Sequence, residues 1–315
     1  MHNFTIIIPH YNTPAYLREL LNSIPRCDNI QVIVIDDNST EDIDDYECIR
    51  NEYHNVEFYR NDSGFMGPGA ARNIGLQVAD GEWILFADAD DYFAPDFYDT
   101  LMKHVDDKED VIFFKSDSYD RVTNTKGVRH LRWNMLIDNY LLKRKNGEFD
   151  LRYNMGDPWA KMFRRSFLNE YKIKMRNTLK GDLSTFMPSV SVYARTIAAY
   201  DETIYVITDW PGSLTRTNHA ISEVMFDELC ETVIETAKFY KQHLSHDKFR
   251  KLHQIWIKPV IKAKRFGLKK SLSVIRKFLN YGIPLVDIFF PSPAIVCQRL
   301  LFINESNKIR HLNKK

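Results

Sequence analysis

Cysteine is scarce in this chain. Four residues in 315, Cys27, Cys48, Cys230 and Cys297, stand far apart with no CxxC pair. That excludes a disulfide-stapled scaffold and a thiolate zinc site, and it points to a reducing compartment. Glycine and proline number 12 each, too few for a collagen-like or low-complexity chain. No internal repeat is present. A net charge of either sign is also missing, the formal value being +1, so the chain as a whole is no polyelectrolyte binder. The opening MHNFTIIIPHYN has no basic leader, and its apolar run stops at Pro9, so no secretory signal is read there. The stretch from Ile283 to Ile303 is apolar but broken by Pro284, Asp287, Pro291, Pro293 and Arg299. A spanning helix needs about 20 largely uncharged residues, so a transmembrane segment is excluded while an interfacial or re-entrant one stays open.

What is present is a globular balance, 44% hydrophobic and 27% charged, long enough for one large domain or one domain with an appendage. The near-zero net charge hides an asymmetry. From Lys258 onward 13 Lys and Arg face only Asp287 and Glu305, which leaves the preceding part acidic. Two regions with different tasks follow from that division.

The first hundred residues alternate strand and helix signals. Phe4–Ile8 and Ile30–Ile35 are near-continuous apolar runs, as in strands buried on both faces. Val56–Tyr59 reads as a third strand and Trp83–Ala87 as a fourth. Between them, Thr13-Pro14 reads as a helix cap followed by proline at the first helical position. Leu17, Leu20, Leu21 and Ile24 then recur at helical spacing. Ala70–Ala79 reads as a helix closed by Gly81. Alternation of this kind predicts an α/β fold with a mostly parallel, doubly wound sheet. Further on, Val111–Phe114 reads as a strand, Ser118–Leu131 as a hairpin and Trp159–Phe163 as an extended segment before a short helix. Gly181-Asp182 opens a helical stretch interrupted at Pro188, Thr203–Ile207 reads as a strand, and helix patterns dominate from Ser222.

Ligands of such sheets bind beyond the carboxyl ends of the strands. Three strands deliver polar residues there: Pro9-His10-Tyr11-Asn12, Asp36-Asp37-Asn38-Ser39 and Asp88-Ala89-Asp90-Asp91. Asp88 and Asp90 at a strand end suit a hard divalent cation, Mn²⁺ or Mg²⁺, which takes carboxylates together with substrate phosphates; a solvated acidic loop is the alternative. A carboxylate of the Asp36-Asp37 pair can accept an N–H from a nucleobase while Tyr11 offers a stacking face; an Asx-type turn is the alternative. Gly64-Phe65-Met66-Gly67-Pro68-Gly69 precedes Arg72. Glycines before a helix allow close approach of a phosphate, and Arg72 adds donors. The run matches neither GxGxxG nor GxxxxGK[ST].

Taken together, IIIPHYNTPAYLRELLNSI, VIVIDDNSTED and GPGAARNIGLQVADGEWILFADADDYF resemble the inverting family 2 glycosyltransferases of the GT-A fold, with order, spacing and strand context agreeing over roughly residues 3 to 100. A fainter resemblance runs to about residue 220 through NMGDPWAKMFRRSFL and LKGDLSTF. The resemblance implies that Pro9, Tyr11 and Asp37 hold the nucleoside of a nucleotide sugar, most often UDP-linked. It implies further that Asp88 lies near the ribose and diphosphate and that Asp90 binds the metal, with Asp88 as a second metal ligand; Arg72, with its donors for a phosphate, is taken to serve the same nucleotide sugar. Asp182 falls where the family carries a Glu-Asp pair whose Asp is the general base; here the pair reads Gly181-Asp182. Trp159 sits at the family's acceptor-side aromatic, with core packing as the alternative. His219 is a candidate for the diphosphate or metal, with a solvent-facing residue as the alternative.

The implied reaction is a single displacement at the anomeric carbon, with the acceptor hydroxyl deprotonated by Asp182. The donor is a nucleotide sugar and the acceptor a saccharide or lipid-linked saccharide, extended during surface polysaccharide synthesis. Residues 1–220 form the catalytic region, donor half before acceptor half, and residues 221–315 a basic helical region. Lys and Arg interleave there with Ile257, Val260, Ile261, Phe266, Leu268, Leu272, Ile275 and Phe278, which fits attachment to an anionic membrane surface, at the cytoplasmic face; a helical subdomain packed on the catalytic domain is the alternative. Two rivals stand beside this reading. One is another nucleotide-sugar or nucleotidyl transferase on the same sheet. The other is a catalytically silent sugar- or nucleic-acid-binding protein, which would leave the acidic strand ends unexplained, so no nucleic acid is expected.

Overall fold

The computed structural model of the protein describes residues 2–178, 181–212, 222–283 and 285. The chain divides into two compact units, Met1–Trp210 and Pro211–Lys315.

In the first unit the apolar runs form the strands they predict. The run β1 (Phe4–His10), α1 (Pro14–Asn22), β2 (Ile30–Asp36), α2 (Ile43–Glu52), β3 (Val56–Arg60), α3 (Pro68–Val78), β4 (Trp83–Phe86) alternates strand and helix. Strand β1 lies between β2 and β4 and is parallel to both, and β3 adds in parallel beyond β2. Because side chains alternate across a strand, consecutive apolar residues serve two cores. Phe4, Ile6 and Ile8 pack with Leu17, Leu20 and Leu21 of α1 and with Tyr46 and Ile49 of α2. Ile7, Ile33, Ile35 and Phe86 face the other way, onto Ala71 of α3 and later helices. Each such large apolar side chain contributes about 1.5–3 kcal/mol by burial.

The chain continues through β5 (Tyr92–Phe93), α4 (Phe97–Lys103), β6 (Val111–Asp120), β7 (Thr125–Lys126), α5 (Leu131–Leu141), α6 (Gly147–Asn154), β8 (Lys161–Arg164), α7 (Arg165–Glu170), α8 (Leu183–Tyr193) and β9 (Ile197–Asp209). All nine strands join one sheet in the order β3-β2-β1-β4-β8-β6-β9-β5, with β7 paired to β6 as the expected hairpin. Strand β8 is inserted antiparallel between β4 and β6, and β9 runs parallel to β6.

Three local expectations are corrected. Gly81 does not close α3, which ends at Val78 with Ala79 in an extended conformation. Gly81 is instead a close-approach residue, since a Cβ there would lie 2.5 Å from the Phe4 carbonyl carbon. Helix α8 runs through Pro188 without interruption, with Phe186, Met187, Pro188, Val190 and Ser191 buried around it. Thr13 precedes Pro14 as expected but makes no side-chain cap.

The second unit is helical among its described residues: α9 (Glu223–His243), α10 (His246–Lys251), α11 (His253–Ala263), a 3₁₀ turn (Lys264–Phe266) and α12 (Leu268–Asn280). Ser222 caps α9 by accepting the Met225 N–H, and Ser245 caps α10 by accepting that of Lys248. Phe226, Cys230, Ile234, Ala237, Tyr240, Trp256, Val274 and Phe278 are among its buried residues. Among the described residues no helix is long and apolar enough to cross a membrane.

Candidate active site at the carboxyl ends of the strands

At the ends of β1, β2 and β3 the polar residues fasten one loop to the next. The Asp37 N–H donates to the His10 carbonyl. Asp37 itself is buried, with one carboxylate oxygen accepting from Asn61 Nδ2 at 2.5 Å and the other from the Gly67 N–H at 2.7 Å. Gly67 caps α3 with φ +121°, a conformation open to glycine and closed to most side chains. Asp36 points elsewhere, accepting from His10 Nδ1 at 3.0 Å and from the Ser39 hydroxyl at 2.6 Å. Burial raises its pKa, but these hydrogen bonds outweigh burial and hold it below the ordinary value. His10 Nε2 accepts the Thr13 N–H, so Nδ1 carries the proton toward Asp36. Asn12 Oδ1 accepts from the N–H groups of Thr40 and Glu41, tying the β1 and β2 loops together. Tyr11 is 46% exposed beside them, and Pro9 is half-buried at the end of β1.

The end of β4 carries the acidic cluster. The Asp88 N–H donates to the Tyr205 hydroxyl at 2.8 Å, and its carboxylate accepts from Arg72 Nη2 at 2.5 Å. The other arm of Arg72, Nη1, reaches Asp182 Oδ2 at 2.8 Å. Arg72 is buried, and the nearby Asp88 and Asp182 carboxylates raise its pKa above the ordinary value against the opposing effect of burial. Burial raises the Asp182 pKa; Arg72 lowers it, Asp88 raises it further, and the net direction is upward. Gly181 before it has φ +78°, which glutamate would adopt only under strain. This backbone accounts for the glycine in place of the first acid of a Glu-Asp pair.

Asp90 accepts from the Trp210 indole N–H at 2.7 Å through Oδ2. Burial, and then the charge of Asp88, raise its pKa. Asp91 is buried, accepts the Thr208 N–H at 2.6 Å and has its pKa pushed well up, first by burial and then by Asp90. Negative charge here is incompletely compensated by protein groups, a state that a cation relieves. Among the described residues no three acidic, His or Cys side chains gather as a cage. A Mn²⁺ or Mg²⁺ ion needs no such cage when a diphosphate and waters complete its shell. Asp90 and Asp88 are the residues that could hold such an ion: each has one oxygen engaged, by the Trp210 indole N–H and by the Arg72 guanidinium respectively, and one oxygen left over.

Trp159 is 4% exposed, its ring stacked on Tyr205 at 5.8 Å and edge-on to Trp133 at 6.0 Å. It occupies the core, as the packing alternative has it. His219 lies outside the described residues. A cavity of about 330 Å³ opens between β2, β3 and α2. Its lining residues, Asp36, Tyr46 and Arg60 among them, include none of Tyr11, Asp37, Asp88 or Asp90.

Several members of the cluster carry no mark in the sequence reading: Asn61, Tyr205, Trp210 and Asp157. Asn61 and Trp210 directly follow β3 and β9, so the same strand-end rule finds them once those strands are placed. Asp157 faces Asp88, Arg129, Arg132 and Lys161, and burial raises its pKa. Tyr205 sits inside a strand and gives no signal apart from its aromatic type.

This mixed sheet, with acidic residues at its strand ends and helices on both faces, is a GT-A-type α/β fold. The family model for glycosyl transferase family 2 matches residues 5–172, more than half of the chain, and the chain belongs to that family. It is 35% identical over 121 residues to the poly(ribitol-phosphate) beta-N-acetylglucosaminyltransferase TarS of Staphylococcus aureus (strain Mu50), covering 36% of this chain and 21% of that enzyme. It is 25% identical over 231 residues to the glycosyltransferase GlyG of Streptococcus pneumoniae serotype 4, covering 69% of this chain and 74% of GlyG. The crystal structure of S. aureus TarS 1–349 in complex with UDP-GlcNAc matches with a TM-score of 0.71 at 21% identity, covering 99% of this chain and 91% of that one. The stretch aligned in sequence thus covers about a fifth of the length of the curated TarS enzyme.

Proposed function

We propose that the protein is an inverting glycosyltransferase that moves a sugar from a nucleoside diphosphate sugar, UDP-linked, to a hydroxyl of a saccharide or lipid-linked saccharide in surface polysaccharide synthesis. The observation that carries this reading is the Asp88–Arg72–Asp182 bridge, 2.5 and 2.8 Å on its two arms. It brings the strand-end acids of β4 together with an acid more than ninety positions further along the chain, which a solvated acidic loop has no need to do.

The exposed ring of Tyr11 offers the nucleobase a face. Asp37 orders the Asn61–Gly67 loop around the nucleoside and keeps a lone pair on each oxygen for it. Asp90 would hold the divalent cation, which when bound neutralises charge on the departing diphosphate. Asp182 takes the proton of the attacking hydroxyl, and its upward-shifted pKa makes it a better base than an ordinary carboxylate. Arg72 orients that base through Oδ2. Residues 1–220 serve as the catalytic region and residues 221–315 as the part that meets an anionic membrane, in keeping with an acceptor carried on lipid.

Calorimetric titration with UDP, GDP and CDP, with and without Mn²⁺, tests the donor site. Metal-enhanced UDP binding that disappears in Asp90→Ala supports it, and no nucleotide binding under any condition overturns it. Transfer of radiolabelled sugar from UDP-sugars to saccharide acceptors then tests the reaction.

A further inference from the structure

Helix α12 sorts its residues onto distinct sides. Ser271, Val274 and Phe278 are buried within the second unit. Two of its cations are consumed there: Lys270 pairs with Glu223 and Asp227 at 2.9 and 2.7 Å, and Lys277 pairs with Glu231. A different side carries Leu268, Leu272 and Leu279, exposed by 76%, 57% and 56%. Spacings of four and seven residues keep those three on one line along a helix, and half-buried Ile275 falls on the same line. Isolated exposed leucines are ordinary, but a continuous row of them on one helix marks a contact surface.

Lys269 and Arg276, seven residues apart, form a second exposed row beside the leucines, and neither has an ion-pair partner among the described residues. Lys262 and Lys264 on the preceding turns are exposed as well, as is Ile261 at the end of α11. No Asp or Glu occurs anywhere between Asp247 and Asp287, so the charge this segment itself carries is of one sign. The row itself is aliphatic, without the aromatic anchor that a protein pocket selects. Leucines beside long cationic stems are what a helix lying in the headgroup layer presents, its stems reaching to the phosphates.

We propose that the Leu268–Leu272–Leu279 row of α12, bordered by Lys269 and Arg276, is the surface on which the protein lies against an anionic lipid bilayer. The inference deepens the membrane attachment given above by assigning it to one helix face, and it is independent of the chemistry at Asp182.

The test is sedimentation of the full chain with vesicles of phosphatidylcholine alone and of equal parts phosphatidylcholine and phosphatidylglycerol. Partition into the anionic vesicles about tenfold or more above the neutral ones is expected, falling as salt is raised. Leu272→Ser with Leu279→Ser abolishes it, and Lys269→Glu with Arg276→Glu removes the preference for anionic lipid. All four positions are exposed, and UDP titration of each variant confirms an intact first unit. Anionic binding that survives the leucine changes overturns this face while leaving membrane attachment standing; absence of binding by the wild type overturns both. Leucine-dependent self-association in light scattering without vesicle binding assigns the row to a second copy of the chain and likewise overturns the proposal.

Discussion

Arg72 and Asp182 stand 110 residues apart in the chain and meet at 2.8 Å, with Asp182 immediately before α8 and Arg72 inside α3. In the proposed reaction, the base Asp182 is fixed in direction by a group that also grips Asp88. Positioning of the acceptor-side proton acceptor and of the strand-end acids is therefore one mechanical problem.

Asp182→Asn keeps the hydrogen bond from Arg72 but removes the basic oxygen. Transfer is expected to fall about 10²–10⁴-fold, while UDP affinity by calorimetry stays within a few-fold. Full transfer in this variant would remove Asp182 from the mechanism.

The pH dependence of transfer follows from the same pair. A base acts when deprotonated, so kcat rises with pH through the pKa of Asp182, which lies above the ordinary carboxylate value. Arg72 lowers that pKa, so Arg72→Met moves the acidic limb of the kcat profile to higher pH as well as weakening the donor site. A limb that stays in place would mean that another group titrates.

Gly69 tests the fit of α3 against the segment that leads into α8. A Cβ at this position would lie 2.3 Å from the Arg176 carbonyl oxygen and 2.6 Å from Asp182 Cβ. Gly69→Ala must push Asp182 away, and displacement of a catalytic group by an ångström costs on the order of 10²-fold. Transfer kinetics should fall far more than UDP binding; parallel losses in both would point to general unfolding instead.

Lys161 gives a stability test. Its side chain is buried, Nζ donates to the carbonyls of Asp157 and Trp159, and burial brings its pKa down to about 7 against the pull of Asp157. Between that value and the ordinary lysine value the native state binds fewer protons than the unfolded state, so stability rises with pH across this window. Lys161→Met removes the contribution. Urea unfolding at about pH 6 and about pH 9 should show the wild type gaining on the order of 2 kcal/mol relative to the variant. No differential gain would mean that the ammonium stays charged in the fold.

The strand ends were legible because an abrupt change from apolar to acidic residues marks where a buried strand leaves the core, as at Ile35-Asp36 and Ala87-Asp88. Asn61 follows the same rule, yet β3 is only partly buried, so its pattern Val-Glu-Phe-Tyr-Arg is weaker. Tyr205 was illegible: a buried tyrosine in a strand looks like core, and only the fold shows its hydroxyl accepting from Asp88. The Arg72–Asp182 contact depends on chain folding over a long separation, which no local periodicity records. Trp159 shows the converse, a residue marked by motif that the fold buries.

Strand β8 hydrogen-bonds to β4 through Phe163 and Arg164 and to β6 through Lys161, Met162 and Phe163. Until the growing polypeptide reaches Arg164, β4 has only β1 beside it and presents an unpaired edge of buried type, Trp-Ile-Leu-Phe. Donor-side strands made alone would keep that edge, the kind that recruits other chains. Closing it requires a loop of nearly eighty residues, an ordering step that slows assembly. A truncation before β8 should accordingly yield inclusion bodies rather than a smaller nucleotide-binding domain, and during synthesis the passage from β4 to β8 is the interval in which that apolar edge stands open.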